Sequence, residues 1–460
     1  MRIEKDSMGE MEVPAEALYG ASTQRAVLNF PISGRSVPKA FICALGMVKW
    51  ACAASNEALG RLSSEKASLI KDAALEVEEG RHDEHFPVDV FQTGSGTSSN
   101  MNINEVIANL VSLASGKPVG SKNPVHPNDD VNLGQSSNDI VPTGLHVSIV
   151  LALKGKLIPA LEHLHAALDS KSQAFEEVIK IGRTHLMDAT PLTLGQEFSG
   201  YATQVKKGIA RAGRAMECLL ELAIGGTAVG TGINTHPEFA NAVCKNLSEK
   251  TGLAFREAEN HFEAQGGRDD CVEVAGQLTA IAAGLTKIAN DIRLLGSGPR
   301  SGISEINLPS TQPGSSIMPG KVNPVMSEML VQVCIYTQGL CQSVALCGRD
   351  GHFELNVTLP LIAHCLHESI ECLANGARVF ADRCVAGIEP NIQTCQALVE
   401  RSLMLVTALN PHIGYDNAAK VAKQAFAENK TLKEVVLELG LLDEASVDKA
   451  LDPKTMVKPS

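Results

Sequence analysis

The chain has 460 residues, enough for a large core and for roughly three domains of about 150 residues each. Its 40 basic and 52 acidic residues leave a formal charge of −12, which argues against a nucleic-acid binder working through a general basic surface. Aromatic residues are 4%, with one Trp, so Ala, Leu, Val and Ile must fill the core, a composition suited to close-packed helices.

The first 40 residues read as irregular, with a turn at Met8-Gly9 and interruptions at Pro14, Pro31 and Pro38. Met1–Asp6 holds no apolar signal core. Helical patterning runs from Ala40 to about Glu79, and His85-Phe86-Pro87 ends that unit. Thr93–Ser99 reads as a small-residue loop, Met101–Leu113 as a helix, and Gly116–Asn138 as a loop rich in Gly, Pro, Asn and Ser. Leu145–Leu168 and Val325–Leu346 are long helical candidates with little polar relief. Val205, Ile209, Ala212, Met216 and Leu219 recur at helical spacing, as do Leu278, Ile281, Leu285, Ile288, Ile292 and Leu295. A helix apolar around most of its girth must be buried on most sides. The expected fold is therefore mainly α, a bundle of long helices, some packed against another subunit. No uninterrupted apolar run approaches the ~18 residues of a spanning helix, so no membrane span is expected. From about Gly387 turns return, at Pro390 and Asn410–Tyr415, followed by short helices such as Lys430–Gly440. Strands are few and short. The 12 Cys fall without C-x-x-C or zinc-site spacing, which predicts free thiols in a reducing cytoplasm.

Several common site patterns fail. Gly225–Gly230 has the outer glycine spacing of a phosphate loop, but Thr231 stands where that loop needs Lys. There is no G-x-S-x-G elbow. His364 and His367 beside Glu368 could offer two metal ligands on one face, but no third is evident, so no metal is expected. Four polar clusters remain. Thr93–Asn100 gathers hydroxyls and flexible N–H groups before a helix, either an anion site or a helix cap. His126-Pro127-Asn128-Asp129-Asp130 and Gln135–Asp139 make turns, yet are dense in hydrogen-bonding groups. Gly182–Asp188 contains His185, a candidate proton-transfer group. Gly314–Pro324 precedes an apolar helix, with Asn323 as a candidate cap. Lys321, Asn323 and the free N–H groups there could hold a carboxylate, with Ser315 and Ser316 on a loop loosened by Gly314 and Gly320.

That last cluster, G-S-S-x-M-P-x-K-x-N, resembles the signature of the fumarase/aspartase superfamily, and the other three follow in that family's order. The resemblance extends from Val13-Pro14-Ala15 to His412-Ile413-Gly414-Tyr415. His185 after Thr184, His126 before Pro127, and Val322 after Lys321 point to the class II fumarases rather than to the aspartase or succinate-lyase branches. The resemblance implies a three-domain helical fold, divided near 1–136, 137–392 and 393–460, that assembles as a homotetramer with shared active sites. It implies reversible, cofactor-free hydration of a small dicarboxylate, fumarate, to L-malate, with ammonia elimination from L-aspartate as the alternative. By the same carry-over Ser315 is the base on carbon, and His185, tuned by Glu328, handles the hydroxyl side. Lys321 and Asn323 stabilise the carbanion, while Ser95, Thr97, Asn100, Ser136, Ser137, Asn138, Thr184 and Ser316 orient the carboxylates. His126, Asn128 and Asp129 correspond to a secondary anion site. Asn123 and Pro124 stand where the family often has basic residues, which predicts weak carboxylate binding there.

Overall fold

The structure, a computed structural model, describes residues 1–459. Its opening is more regular than the sequence suggests. Arg2–Asp6 (β1) pairs antiparallel with Gly9–Val13 (β2), and the left-handed backbone of Gly9 (φ 120°) makes the turn. Ala21–Asn29 (α1) follows, a helix whose buried residues include Thr23 and Gln24. Its start is closed from a distance, because the Glu105 carboxylate accepts the N–H groups of Gly20 (2.8 Å), Ser22 (3.0 Å) and Thr23 (3.2 Å). Local apolar periodicity does not reveal a helix capped by a residue eighty positions away.

The helical stretch near residues 40–79 is two helices, Lys39–Ala58 (α2) and Ser64–Glu78 (α3), parted at the left-handed Gly60. Thr97–Ala114 (α4) begins four residues earlier than its apolar pattern, after left-handed Gly96. Thr97, Ser98, Ser99 and Asn100 are thus the first turn of a helix, not part of a loop. Ser137–Ala152 (α5) opens on a capping box, Ser136 with Asp139. It continues through a wider turn into Ile158–Ala174 (α6). Ile179–Thr184 (β3) and Met187–Thr193 (β4) form a hairpin. The remaining long helices are Leu194–Glu217 (α7), Phe239–Thr251 (α8), Asp269–Leu295 (α9), Val325–Gly348 (α10) and Leu359–Arg383 (α11). α7 and α9 begin well before the periodic segments they carry, α10 matches Val325–Leu346 to within two residues, and α8 and α11 have no counterpart in the sequence reading. The fold is mainly α, as expected.

The chain divides into two compact units. The first comprises Met1–Pro159, Ile209–Ala282 and Val333–Ala374. Here α2 packs on α3, α5 and α8. The buried His367 of α11 meets Ser148 of α5 at 2.9 Å, and a Cβ on Gly348 of α10 would strike Val272 of α9 at 2.4 Å. The second comprises Ala160–Gly208, Ala283–Gln332 and Asn375–Ser460. In it Tyr201 of α7 bonds Asp291 of α9 (3.1 Å), and His163 of α6 bonds Asp382 of α11 (2.6 Å). Ile181 of β3 joins a separate apolar cluster of the C-terminal short helices, with Val399, Leu409, Val421, Val435 and Val447.

Three stretches, Ser137–Ala174, Asp269–Leu295 and Val325–Gly348, are long and apolar enough to cross a membrane by length and composition. That corrects the expectation drawn from uninterrupted runs: isolated polar residues break a run without much lowering a long helix's average. Such helices need cover on most sides. The chain buries 67% of the first apolar window but only 33% of the last.

Candidate active site

The first unit gathers the sequence-predicted hydroxyls and amides around two helix starts. At α4, Ser95 and Thr97 share a hydrogen bond (2.8 Å). The turn before it is tight: a Cβ on Gly94 would lie 1.6 Å from the Val357 carbonyl oxygen, so only glycine fits. Buried Asn100 donates to Ser137 Oγ (3.0 Å) at the start of α5 and to Asn132 Oδ1 (3.1 Å). Asn138 donates to the Ala228 carbonyl (2.8 Å), which ties α5 to the glycine-rich loop. Two helix N-termini lined with hydroxyls and amides suit a carboxylate.

Asp139, whose role the sequence did not disclose, holds this arrangement from behind. Its carboxylate accepts Ser136 N–H (2.9 Å) on one oxygen and Gly225 N–H (3.1 Å) and Thr227 N–H (2.9 Å) on the other. Burial raises its pKa to about 6, against the pull of those N–H groups and of Lys49. Gly225–Gly230 is thus a loop tethered to a carboxylate rather than a phosphate cradle.

His126, Asn128 and Asp129 do come together. The imidazole Nδ1 accepts the N–H groups of Asn128 (3.3 Å) and Asp129 (3.2 Å), capping the Pro127–Val131 turn. The nearest upstream base, Lys122, donates to the Lys5 carbonyl (3.0 Å).

The second unit carries the candidate proton-transfer groups. Thr184 and His185 sit at the tip of the β3–β4 hairpin, where Thr184 pairs with Met187. His185 (φ 57°) and Leu186 (φ 63°) both adopt left-handed backbone, the geometry of a type I′ turn without its usual glycine. Such strain concentrates at functional sites. The hairpin is anchored one residue earlier. Arg183 makes a two-pronged pair with Glu305 (2.8 and 3.2 Å), which also meets Lys180 (3.3 Å). Lys180 and Glu305 are buried. Nothing in the local sequence marks Glu305, 122 residues from Arg183, as the anchor.

Ser315 Oγ accepts the N–H groups of Ile317 (3.2 Å) and Met318 (3.1 Å). The loop closes on itself: Gly314 N–H reaches the Lys321 carbonyl (2.8 Å), and Asn323 Nδ2 donates to the Gly314 carbonyl (2.8 Å). Asn323 therefore closes the loop with its side chain instead of capping α10. A Cβ on Gly314 would press on the Lys321 carbonyl at 2.7 Å. Ser316, Lys321 and Glu328 are exposed. Within one chain His185 and Glu328 share no hydrogen bond among the described residues.

The chain's kinship agrees with this chemistry. The family described as Lyase matches residues 9–339, and that described as Fumarase C C-terminus matches 405–458. A class II fumarate hydratase of Methylorubrum extorquens is 52% identical over 459 residues, covering 100% of this chain and 97% of the relative. One from Mycobacterium tuberculosis is 53% identical over 462 residues, covering 99% and 96%. The crystal structure of a class II fumarase from Schistosoma mansoni superposes with a TM-score of 0.97 at 42% identity, covering 100% of this chain and 99% of that one. These relatives do not favour the ammonia-eliminating alternative. Full-length identity above one half, with a matching fold, makes the chain a member of the class II fumarate hydratases, hydro-lyases that hydrate fumarate.

Proposed function

We propose that hydration proceeds by reversible anti addition through an aci-carboxylate carbanion, with Ser315 and His185 as the two proton-transfer groups. His185 takes a proton from water as its oxygen bonds to one alkene carbon. The electron pair shifts through the other carbon onto the neighbouring carboxylate. Ser315 then delivers a proton to that carbon, giving L-malate. Dehydration runs the same steps backwards. The energetic problem is the doubly charged aci-carboxylate, which must be stabilised more than malate is. Lys321 and Asn323 supply a cation and an amide for it, and the helix starts at Thr97 and Ser137 hold the other carboxylate.

The observation that carries this reading is the pair of backbone N–H groups on Ser315 Oγ. A serine hydroxyl is a poor base in water. Two N–H donors stabilise its alkoxide and lower the cost of using it. The steps are proton transfers and hydrogen bonding, so the reading invokes no metal or cofactor.

The same reading assigns a homotetramer whose active sites draw on several copies, with Glu328 pairing His185 across them. The support is α10, where Ile335 is 63% exposed on a helix that needs cover. The cysteines form no disulfide among the described residues, which fits a reducing cytoplasm, and the reaction fits the tricarboxylic acid cycle. Neither a nucleic acid nor a membrane enters this reading.

The test follows fumarate absorbance with a chelator present, first in water and then with ammonium, using L-malate and L-aspartate as reverse substrates. Turnover without ammonium, and from L-malate alone, is expected. Turnover only with ammonium or L-aspartate overturns the reading of His185. Loss of turnover to the chelator overturns metal independence.

A further inference from the structure

Lys49 of α2 is fully buried, yet its ammonium meets two neutral groups: it donates to Asn132 Oδ1 (3.0 Å) and Gln135 Oε1 (2.8 Å). The Asp139 carboxylate acts on it only through its field, and burial pulls its pKa down to about 7. Burying a cation without a contacting carboxylate is expensive. A methionine would fill the same space without that cost, so the amine must serve something besides packing.

The hydrogen bonds show what it serves. A carboxamide has one accepting end and one donating end. With Lys49 on its oxygen, Asn132 turns its Nδ2 to the Gln135 carbonyl (3.1 Å). The same oxygen takes Nδ2 of Asn100 (3.1 Å) and Nδ2 of Asn104 (3.2 Å). Asn100 is thereby committed to present its Nδ2, which it also donates to Ser137 Oγ (3.0 Å). The Ser137 oxygen accepts, so its hydroxyl proton is left to donate elsewhere. The second arm fixes the loop behind it: Gln135, held by Lys49, donates Nε2 to the Val131 (3.1 Å) and Leu133 (3.2 Å) carbonyls. That loop leads directly into Ser136 and Ser137.

We propose that Lys49 is a positioning residue for the substrate: through Asn132 and Asn100 it orients the Ser137 hydroxyl proton toward the substrate carboxylate. This rests on the reading of Ser137 and Asn100 as carboxylate-binding groups. Without the ammonium, Asn132 can turn over, Asn100 can follow, and Ser137 can spend its proton on the Asn100 oxygen instead.

The test is steady-state kinetics of full-chain Lys49→Met with fumarate and with L-malate, beside Ser137→Ala and a thermal unfolding scan. Removing a group that orients a charge-assisted hydrogen bond raises KM about tenfold or more while kcat falls by less than about threefold. Lys49→Gln, which keeps a donor for Asn132, is expected to recover at least half of that KM change on a logarithmic scale. A merely structural lysine would lower Tm and the active fraction, hence kcat, with KM unmoved. A folded Lys49→Met with KM within about twofold of the parent chain overturns the inference. If Ser137→Ala also leaves KM unmoved, the carboxylate-binding reading falls with it; if Ser137→Ala raises KM, only the Lys49 inference falls. Should Lys49→Met not fold, Lys49→Ala takes its place, since the space it leaves admits a water to Asn132 Oδ1 and Gln135 Oε1 while the ammonium is gone. The same rise in KM is expected of it, and an unmoved KM overturns the inference.

Discussion

The hydroxyl oxygen of Ser315 lies 3.1 Å from the backbone nitrogen of Met318 and accepts its N–H, with Ile317 N–H beside it at 3.2 Å. The serine is therefore oriented by its own loop before any ligand arrives. Asn323 and Lys321 close that loop onto Gly314, so the proposed base and the groups proposed to answer the substrate's charge are one mechanical piece.

Ser315→Ala removes the proposed base and leaves the loop closure intact. Loss of a positioned base is worth about 10²–10⁴ in rate. We expect kcat to fall by that range with KM for fumarate little changed. Exchange of the malate C3 proton with solvent deuterium, followed by NMR, should vanish in parallel. Persistence of that exchange would move the base elsewhere.

Glu305→Gln tests the anchor of the His185 hairpin. The buried carboxylate answers both Arg183 and Lys180, and removing one partner of a buried ion group costs about 3–5 kcal/mol. Urea unfolding at fixed protein concentration should show that loss, and kcat should drop because the hairpin tip loosens. A cost under ~1 kcal/mol would mean that the apolar packing of Ile181 alone holds the hairpin.

Gly94→Ala puts a carbon 1.6 Å from the Val357 carbonyl oxygen, and the Gly94 carbonyl also accepts Leu359 N–H at 2.9 Å. Backbone, not a flexible side chain, has to move. Overpacking of this kind costs about 3 kcal/mol or more. Calorimetry should record a clear drop in Tm, together with a raised KM, because Ser95 and Thr97 ride on the same turn. An unchanged Tm would show that the loop can separate from Val357 freely.

Two buried histidines set an acid limit. Burial lowers the pKa of His146, whose Nδ1 lies against the Glu221 carbonyl, and of His367, whose Nε2 lies against Ser148, each to about 3. Each is neutral in the folded chain and gains a proton on unfolding below its ordinary pKa of about 6.5. Their contribution is complete above pH ~6.5 and is lost as pH falls toward about 3. Asp139 works the other way: its pKa, raised to about 6, favours the fold as pH falls from about 6 to about 4. His367→Asn should therefore flatten the stability-against-pH slope between pH ~4 and ~6 by about one proton. An unchanged slope would mean that His367 already carries its charge in the fold.

Much of this molecule was legible before folding. Leu278 to Leu295 carry a period of three and four, Val325 to Leu346 is a long apolar stretch with little polar relief, and both are helices. Other features were not legible. α1 is closed by Glu105, more than eighty residues away, and has little apolar pattern of its own. The start of α4 was hidden because Thr97, Ser98, Ser99 and Asn100 face hydrogen-bond partners rather than a hydrophobic layer.

Local patterning reveals the long apolar helices because their backbone hydrogen bonds lie within four residues, where covalent connection sets the geometry. The ordered motifs were enough to identify the family, because the reacting groups are carried on short contiguous segments. The couplings behind those groups obey no such rule. Asn100 meets Ser137 across 37 residues, Lys49 meets Asn132 across 83, and Arg183 meets Glu305 across 122. Each depends on which helix faces or loops the fold brings side by side. A buried polar group must find its partner wherever packing puts one, so these bonds could be read only once the packing was known.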